Sequence, residues 1–175
     1  MRLGTAGDDT TPVNAVTLDG YANAVLAAST PETVVVGHSM GGFAIGAAAQ
    51  KDPSAMARLI YLCAYVPAAG LSLAEMRKQA PSQPLMPAVR LAPAARLCAQ
   101  AVAPTIKPLP DTARADAMPR SYIRCMDDRT IPPAYQVTMT KDWPSADVHE
   151  MACGHSPFFT DPAGLARIID DIIPR

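Results

Sequence analysis

The chain has 175 residues, 49% of them hydrophobic, and sets 15 basic against 16 acidic side chains for a formal net charge of −1. That length favours a single domain with a substantial core, and the hydrophobic content excludes intrinsic disorder. The even charge gives no electrostatic case for nucleic acid or a charged membrane as partner.

No apolar run approaches the ~20 residues of a membrane span. The opening MRLGTAGDDTTPVN lacks the apolar centre of a signal peptide, so a cytoplasmic location is expected. Four cysteines, Cys63, Cys98, Cys125 and Cys153, form no C-x-x-C pair, and no histidine lies at zinc-like spacing from them. They read as reduced thiols filling small buried sites, with no metal or cofactor expected. A Cys63–Cys125 disulfide is the alternative if both residues end neighbouring strands. Proline is abundant, 18 in all, and eight of these lie between Pro67 and Pro110, which marks that segment as irregular.

Along the chain, TLDGYANAVLAA (17–28) opens with a cap at Thr17 and sets Leu18, Tyr21, Ala22, Val25 and Leu26 at helical spacing. TVVVGH is a short continuous apolar run, the pattern of a strand buried on both faces. MGGFAIGAAAQKD reads as a helix whose small residues allow close packing on a sheet. ARLIYLCAYV (57–66) reads as a second buried strand. The proline-rich segment follows, with short helices expected near 71–79, 93–102 and 111–117. RSYIRCMDD is a third strand running into two aspartates, and PPAYQVTMTKDW a helix with proline in its first turn. ADVHEMA is a last strand. DPAGLARIIDDII is a last helix, with Asp161 as its cap and Pro162 just inside. Strands alternating with helices predict one α/β domain over residues 1–175. It is a three-layer, open, mostly parallel sheet with helices on both faces and a cap insertion over about 67–119.

The chemistry centres on Gly37, His38, Ser39, Met40 and Gly41, a G-x-S-x-G pattern at the junction of strand and helix. Such a turn forces the serine into a strained backbone conformation, and side chains on Gly37 and Gly41 are expected to clash with the neighbouring strand and helix. It lifts the Ser39 hydroxyl above the C-terminal edge of the sheet, where α/β folds bind ligands. The following helix supplies unpaired N–H groups and a positive dipole end, with the Met40 N–H aimed at an oxyanion.

A serine hydroxyl needs a base. Of the three histidines, His38 adjoins the nucleophile and reads as a packed or supporting residue, and His149 falls within a strand. His155, in the loop of CGHSPFF, is placed at the same sheet edge as Ser39 and is the candidate base. The base needs a carboxylate to fix its tautomer. CMDDRTIPP offers Asp127 and Asp128, one as the acid and the other as a turn residue. The order serine, aspartate, histidine is that of the α/β-hydrolases.

VVVGHSMGG, LIYLCAYVPAAG, YIRCMDDRTIPPAYQ and GHSPFFTDPAGLA together resemble the α/β-hydrolase superfamily. More narrowly, they resemble the branch of plant methyl esterases, hydroxynitrile lyases and related bacterial esterases. The resemblance runs from about residue 7 to the end and is weakest over 75–118. It implies Ser39 as nucleophile, His155 as base and Asp128, rather than Asp127, as acid. Lyases of the branch carry a lysine directly after the base. Ser156 stands there in this chain, which favours ester hydrolysis.

The resemblance also implies a late start, with the last four strands kept and the first four absent. One oxyanion donor, Met40, is then evident, and TVVVG becomes an edge strand with unpaired backbone groups. A homo-oligomer covering residues 33–37 is the expected remedy. Leu71, Leu73, Met76, Leu85 and Met86 form either an apolar lid over an acyl pocket or plain core. The sequence therefore predicts a serine carboxylesterase for small esters acting through an acyl-enzyme. A carbon–carbon lyase and an inert or partner-dependent fragment are the alternatives.

Overall fold

A computed structural model describes residues 11–81 and 100–173. Helix α1 (Leu18–Ala27) starts at Thr17, whose side chain accepts the Gly20 N–H at 2.9 Å. That bond satisfies one of the amide donors left open at a helix start. Leu18, Tyr21, Ala22 and Val25 are buried on one stripe and pack on α2 (Gly41–Lys51). Every residue of α2 from Gly42 to Ala49 is buried, because α1 covers it on one side and the sheet on the other. Its run of glycine and alanine lets backbones come close enough for that sandwich.

Four strands form one sheet: β1 (Val34–His38), β2 (Arg58–Leu62), β3 (Arg120–Cys125) and β4 (Val148–Met151). Their spatial order follows the chain, β1-β2-β3-β4, and all three pairings are parallel. The side-chain alternation of a strand assigns residues to the two faces. Leu59, Tyr61 and Tyr122 join α1, α2 and Tyr135 in the larger core. Ile60, Leu62, Ile123 and Met151 meet Leu165 and Ile172 on the other face. Leu59, Ile60 and Ile123 are fully buried, and each such side chain contributes roughly 1.5–3 kcal/mol relative to exposure.

Among the described residues between β2 and β3 lie α3 (Leu73–Gln79) and two single helical turns, α4 (Ala103–Ile106) and α5 (Ala113–Asp116). Helix α3 carries a full capping box: Ser72 accepts the Glu75 N–H, and Glu75 accepts the Ser72 N–H. After β3 come α6 (Pro133–Met139), then β4, α7 (Pro157–Thr160) and α8 (Pro162–Ile172). Asp161 caps α8 by accepting the Gly164 N–H at 2.8 Å. Helix α8 covers the second face of the sheet. The three-layer arrangement is the one the strand–helix alternation predicts.

One expectation changes. The second strand stops at Leu62 instead of Val66, because Cys63 turns out of the sheet with φ 33°. A helix near 93–102 falls mostly outside the described residues, and the first helical turn after them begins at Ala103. The sheet is parallel throughout its described pairings, in line with the mostly parallel sheet expected. As expected, β1 lies at the edge of the sheet among the described residues, with Val36 41% exposed.

Candidate active site

The turn between β1 and α2 holds Ser39 at φ 55°, a left-handed conformation that costs a non-glycine residue about 1–3 kcal/mol. Surrounding hydrogen bonds sustain it. The Ser39 N–H donates to the Leu62 carbonyl at 3.3 Å, and the Ser39 carbonyl accepts from Gly42 N–H at 3.3 Å and Tyr65 N–H at 3.1 Å. The end of β2 and the segment after it thus clamp the turn. A side chain on Gly37 would bring its Cβ within 2.8 Å of the Gly41 carbonyl oxygen, as expected.

The matching expectation for Gly41 fails, since a Cβ there would meet nothing within 4 Å. The crowded position is its neighbour Gly42, where a Cβ would lie 2.1 Å from the Tyr65 carbonyl oxygen. The helix turns that side, not the Gly41 side, against the segment leaving β2. Met40 occupies the N-cap of α2, and among the described residues its N–H makes no hydrogen bond. It points the positive end of an eleven-residue helix into the turn.

Two loops extend the sheet beyond its C-terminal edge. The N–H of Met126 donates to the Met151 carbonyl at 2.9 Å, and that of Asp127 to the Cys153 carbonyl at 3.0 Å. These bonds keep the loop after β3 beside the loop after β4. Asp127 consequently faces solvent while Asp128 is buried. Asp128 Oδ2 lies 2.8 Å from His155 Nδ1. Its Oδ1 accepts the N–H groups of Thr130 at 2.7 Å and Ile131 at 3.0 Å.

Gln136, in α6, is fully buried beside this carboxylate. Its Nε2 donates to Asp128 Oδ2 at 3.2 Å and to the Ile131 carbonyl at 2.7 Å, and its Oε1 accepts the Cys125 N–H at 3.0 Å. Sequence reading missed Gln136. The one available signal was a glutamine on the apolar side of a helix, eight residues after the candidate acid. A carboxylate holding Nδ1 this way favours the tautomer with a lone pair on Nε2 and stabilises imidazolium when it forms.

His38 ends β1 directly before Ser39, and its Nε2 lies 2.7 Å from the His155 carbonyl oxygen. Burial, then the nearby His155, lowers its pKa, which disfavours the charged ring. Cys63 Sγ also reaches the His155 carbonyl, at 3.5 Å. The Cys125 thiol and burial push the Cys63 thiol far above its ordinary range, so it remains an S–H donor. Cys125 and Cys153 stand 3.5 Å apart, sulfur to sulfur, and all three described cysteines are free, as the sequence reading has them.

Donor atoms of His38, Cys63 and His155 lie within 4.8 Å of one another, the spacing of a loose metal cluster. Within the protein, His38 and Cys63 both bond the His155 carbonyl, and His155 Nδ1 bonds Asp128. His149 is half-buried in β4, opposite Ile123, apart from this cluster.

Of the proposed lid residues, Leu73 and Met76 belong to the main core and Leu71 packs against it. The plain-core alternative describes these three. Leu85 and Met86 lie outside the described residues. Met76 also borders a cavity of about 410 Å³, together with Val66, Gln79, Tyr135 and Trp143.

A parallel sheet with a serine at positive φ between strand and helix, and an Asp–His pair on the loops of later strands, defines the class of α/β folds with a nucleophile elbow. The chain belongs to the alpha/beta hydrolase family, whose model matches residues 2–168. It is similar to a pyrethroid hydrolase of Sphingobium wenxiniae, 29% identical over 183 residues, covering 84% of this chain and 65% of the relative. The chain thus spans just under two thirds of that relative's length. A shorter match, 34% identical over 59 residues, joins 34% of the chain to 21% of Methylesterase 17 of Arabidopsis thaliana. The crystal structure of the pyrethroid hydrolase PytH superposes with a TM-score of 0.79 at 26% identity, over 97% of this chain and 82% of that one. Polyneuridine aldehyde esterase shares the fold with a TM-score of 0.77 at 18% identity, over 98% and 86% of the two chains.

Proposed function

We propose that the chain is a serine esterase that hydrolyses small carboxylic esters through an acyl-enzyme. The observation that carries this reading is the 2.8 Å contact of Asp128 with His155 Nδ1, at the sheet edge where Ser39 sits at positive φ. In this reading Ser39 Oγ attacks the ester carbonyl carbon while His155 Nε2 takes its proton. The oxyanion forms against the Met40 N–H at the start of α2. His155 returns the proton to the departing alkoxide, which leaves as the alcohol. Water then attacks the acyl-serine, giving its proton to His155, and the acid departs as Ser39 recovers a proton.

Apolar esters are the favoured substrate class, in line with the name of the pyrethroid hydrolase relative. The edge position of β1, with Val36 exposed, supports a homo-oligomer in which another backbone pairs along residues 33–37. A cytoplasmic site of action remains part of the proposal. No helix among the described residues is long and apolar enough to cross a membrane.

Hydrolysis of short-chain p-nitrophenyl esters by the purified protein, beside Ser39→Ala, tests the reading. Turnover that the substitution abolishes is the expected result. Equal rates for the two proteins would overturn it.

A further inference from the structure

We propose that His38 is a positioning residue for His155, holding the backbone of the candidate base from the strand that carries the candidate nucleophile. The proposal rests on the esterase reading of the site. His38 Nε2 meets the His155 carbonyl at 2.7 Å, a bond between residues 117 apart in the chain. A carbonyl only accepts, so Nε2 carries the proton and donates. Cys63, at the end of β2, points its thiol at the same oxygen from 3.5 Å. The ring of His38 is itself held, 4.6 Å from the His155 ring and with Phe158 edge-on at 5.1 Å.

The consequence follows from where His155 sits. Its side chain is fixed at Nδ1 by Asp128, but its backbone lies in the loop between β4 and α7, next to Gly154. A Cβ on Gly154 would meet only the Asp127 carbonyl, 3.9 Å away, so no side chain packs the loop at that position. The side chains of His38 and Cys63 are what tie the His155 carbonyl to the sheet. Because His38 and Ser39 are consecutive, the bond couples the backbone of the base to that of the nucleophile. A misplacement of about 1 Å between reacting groups costs on the order of 10²-fold in rate.

Three substitutions separate this role from packing. His38→Ala removes ring and donor, His38→Phe keeps a ring against Phe158 without the donor, and His38→Gln keeps an N–H donor without the ring. Two readouts apply: steady-state hydrolysis of p-nitrophenyl acetate, and the downfield NMR resonance of the His155 Nδ1 proton. The second requires no turnover and is recorded in the Ser39→Ala background as well. We expect His38→Ala and His38→Phe to lower kcat by roughly 10–100-fold with KM within about twofold, and to broaden the Nδ1 resonance. His38→Gln recovers most of both.

Wild-type kcat and a sharp resonance in His38→Phe would overturn the proposal, as would a His38→Gln variant no better than His38→Ala. If the wild-type protein hydrolyses no ester, the esterase reading fails, and the resonance alone decides whether His38 holds His155.

Discussion

Gly42 and Tyr65 stand so close that a Cβ on Gly42 would lie 2.1 Å from the Tyr65 carbonyl oxygen, whereas one on Gly41 would meet nothing within 4 Å. The obstacle is backbone, held in place by the Tyr65 N–H bond to the Ser39 carbonyl at 3.1 Å. Gly42→Ala is therefore expected to destabilise the fold by ~3 kcal/mol or more, at the upper end for overpacking. Gly41→Ala should be neutral or gain up to about 1 kcal/mol of helix propensity. Urea midpoints of the two variants check this, and equal midpoints would refute it.

Ser39 carries a strain that glycine would not. At φ 55°, Ser39→Gly should be more stable than Ser39→Ala by about 1 kcal/mol. Both should lose ester hydrolysis by at least 10⁴-fold, the scale on which nucleophile loss operates. Thermal melts beside activity assays measure the two effects, and a Ser39→Ala variant more stable than Ser39→Gly would contradict the strain argument.

Replacing Asp128 by asparagine retains an oxygen for the Thr130 and Ile131 N–H groups but removes the charge facing His155. The fold should persist while kcat falls by about 10⁴-fold, the loss seen when a tautomer-fixing carboxylate becomes an amide. Asp127→Asn, at an exposed position, should change kcat by less than about threefold. A larger loss from Asp127→Asn than from Asp128→Asn would reverse the assignment.

Gln136→Leu keeps volume and strands polar groups. The Cys125 N–H and the Ile131 carbonyl lose their glutamine partners, and Asp128 Oδ2 loses one of two. Leaving a buried polar group unsatisfied costs roughly 1–3 kcal/mol. The expected outcome is a lower denaturation midpoint together with reduced kcat. A variant as stable and active as the wild type would show that Gln136 is dispensable.

The pH dependence follows from His38. Burial, then His155, lowers its pKa below the ordinary 6.5, with the His155 carbonyl and Asp128 opposing. The unfolded chain therefore binds a proton that the fold excludes. The contribution is fully present above pH 6.5 and is lost as pH falls through the folded-state value. Between about pH 7 and pH 5, the melting temperature of the wild type should fall more steeply than that of His38→Gln. Parallel curves would show that His38 carries no such linkage.

Features set by neighbours in the chain were legible before the fold was known. Thr17 and Asp161 read as helix caps because a cap bond spans three residues. The strand–turn–helix at Ser39 was legible from glycine spacing and apolar runs. The acid was narrowed to two adjacent aspartates in the same way, and the resemblance favoured Asp128. Gln136 escaped notice because its polarity makes sense only once Asp128 and Cys125 are known to flank it.

The sequence alone determined what local backbone preference and hydrophobic periodicity control: the succession of strands and helices, the turn that presents Ser39, and the short list of ionisable residues near it. The tertiary structure decided which of those residues meet. Asp128 rather than Asp127 reaches His155, Gly42 rather than Gly41 is crowded, and His38 holds a carbonyl 117 residues away. Such contacts depend on how strand ends and loops align across the sheet, and that register is set by the packing of both faces together rather than by any one segment.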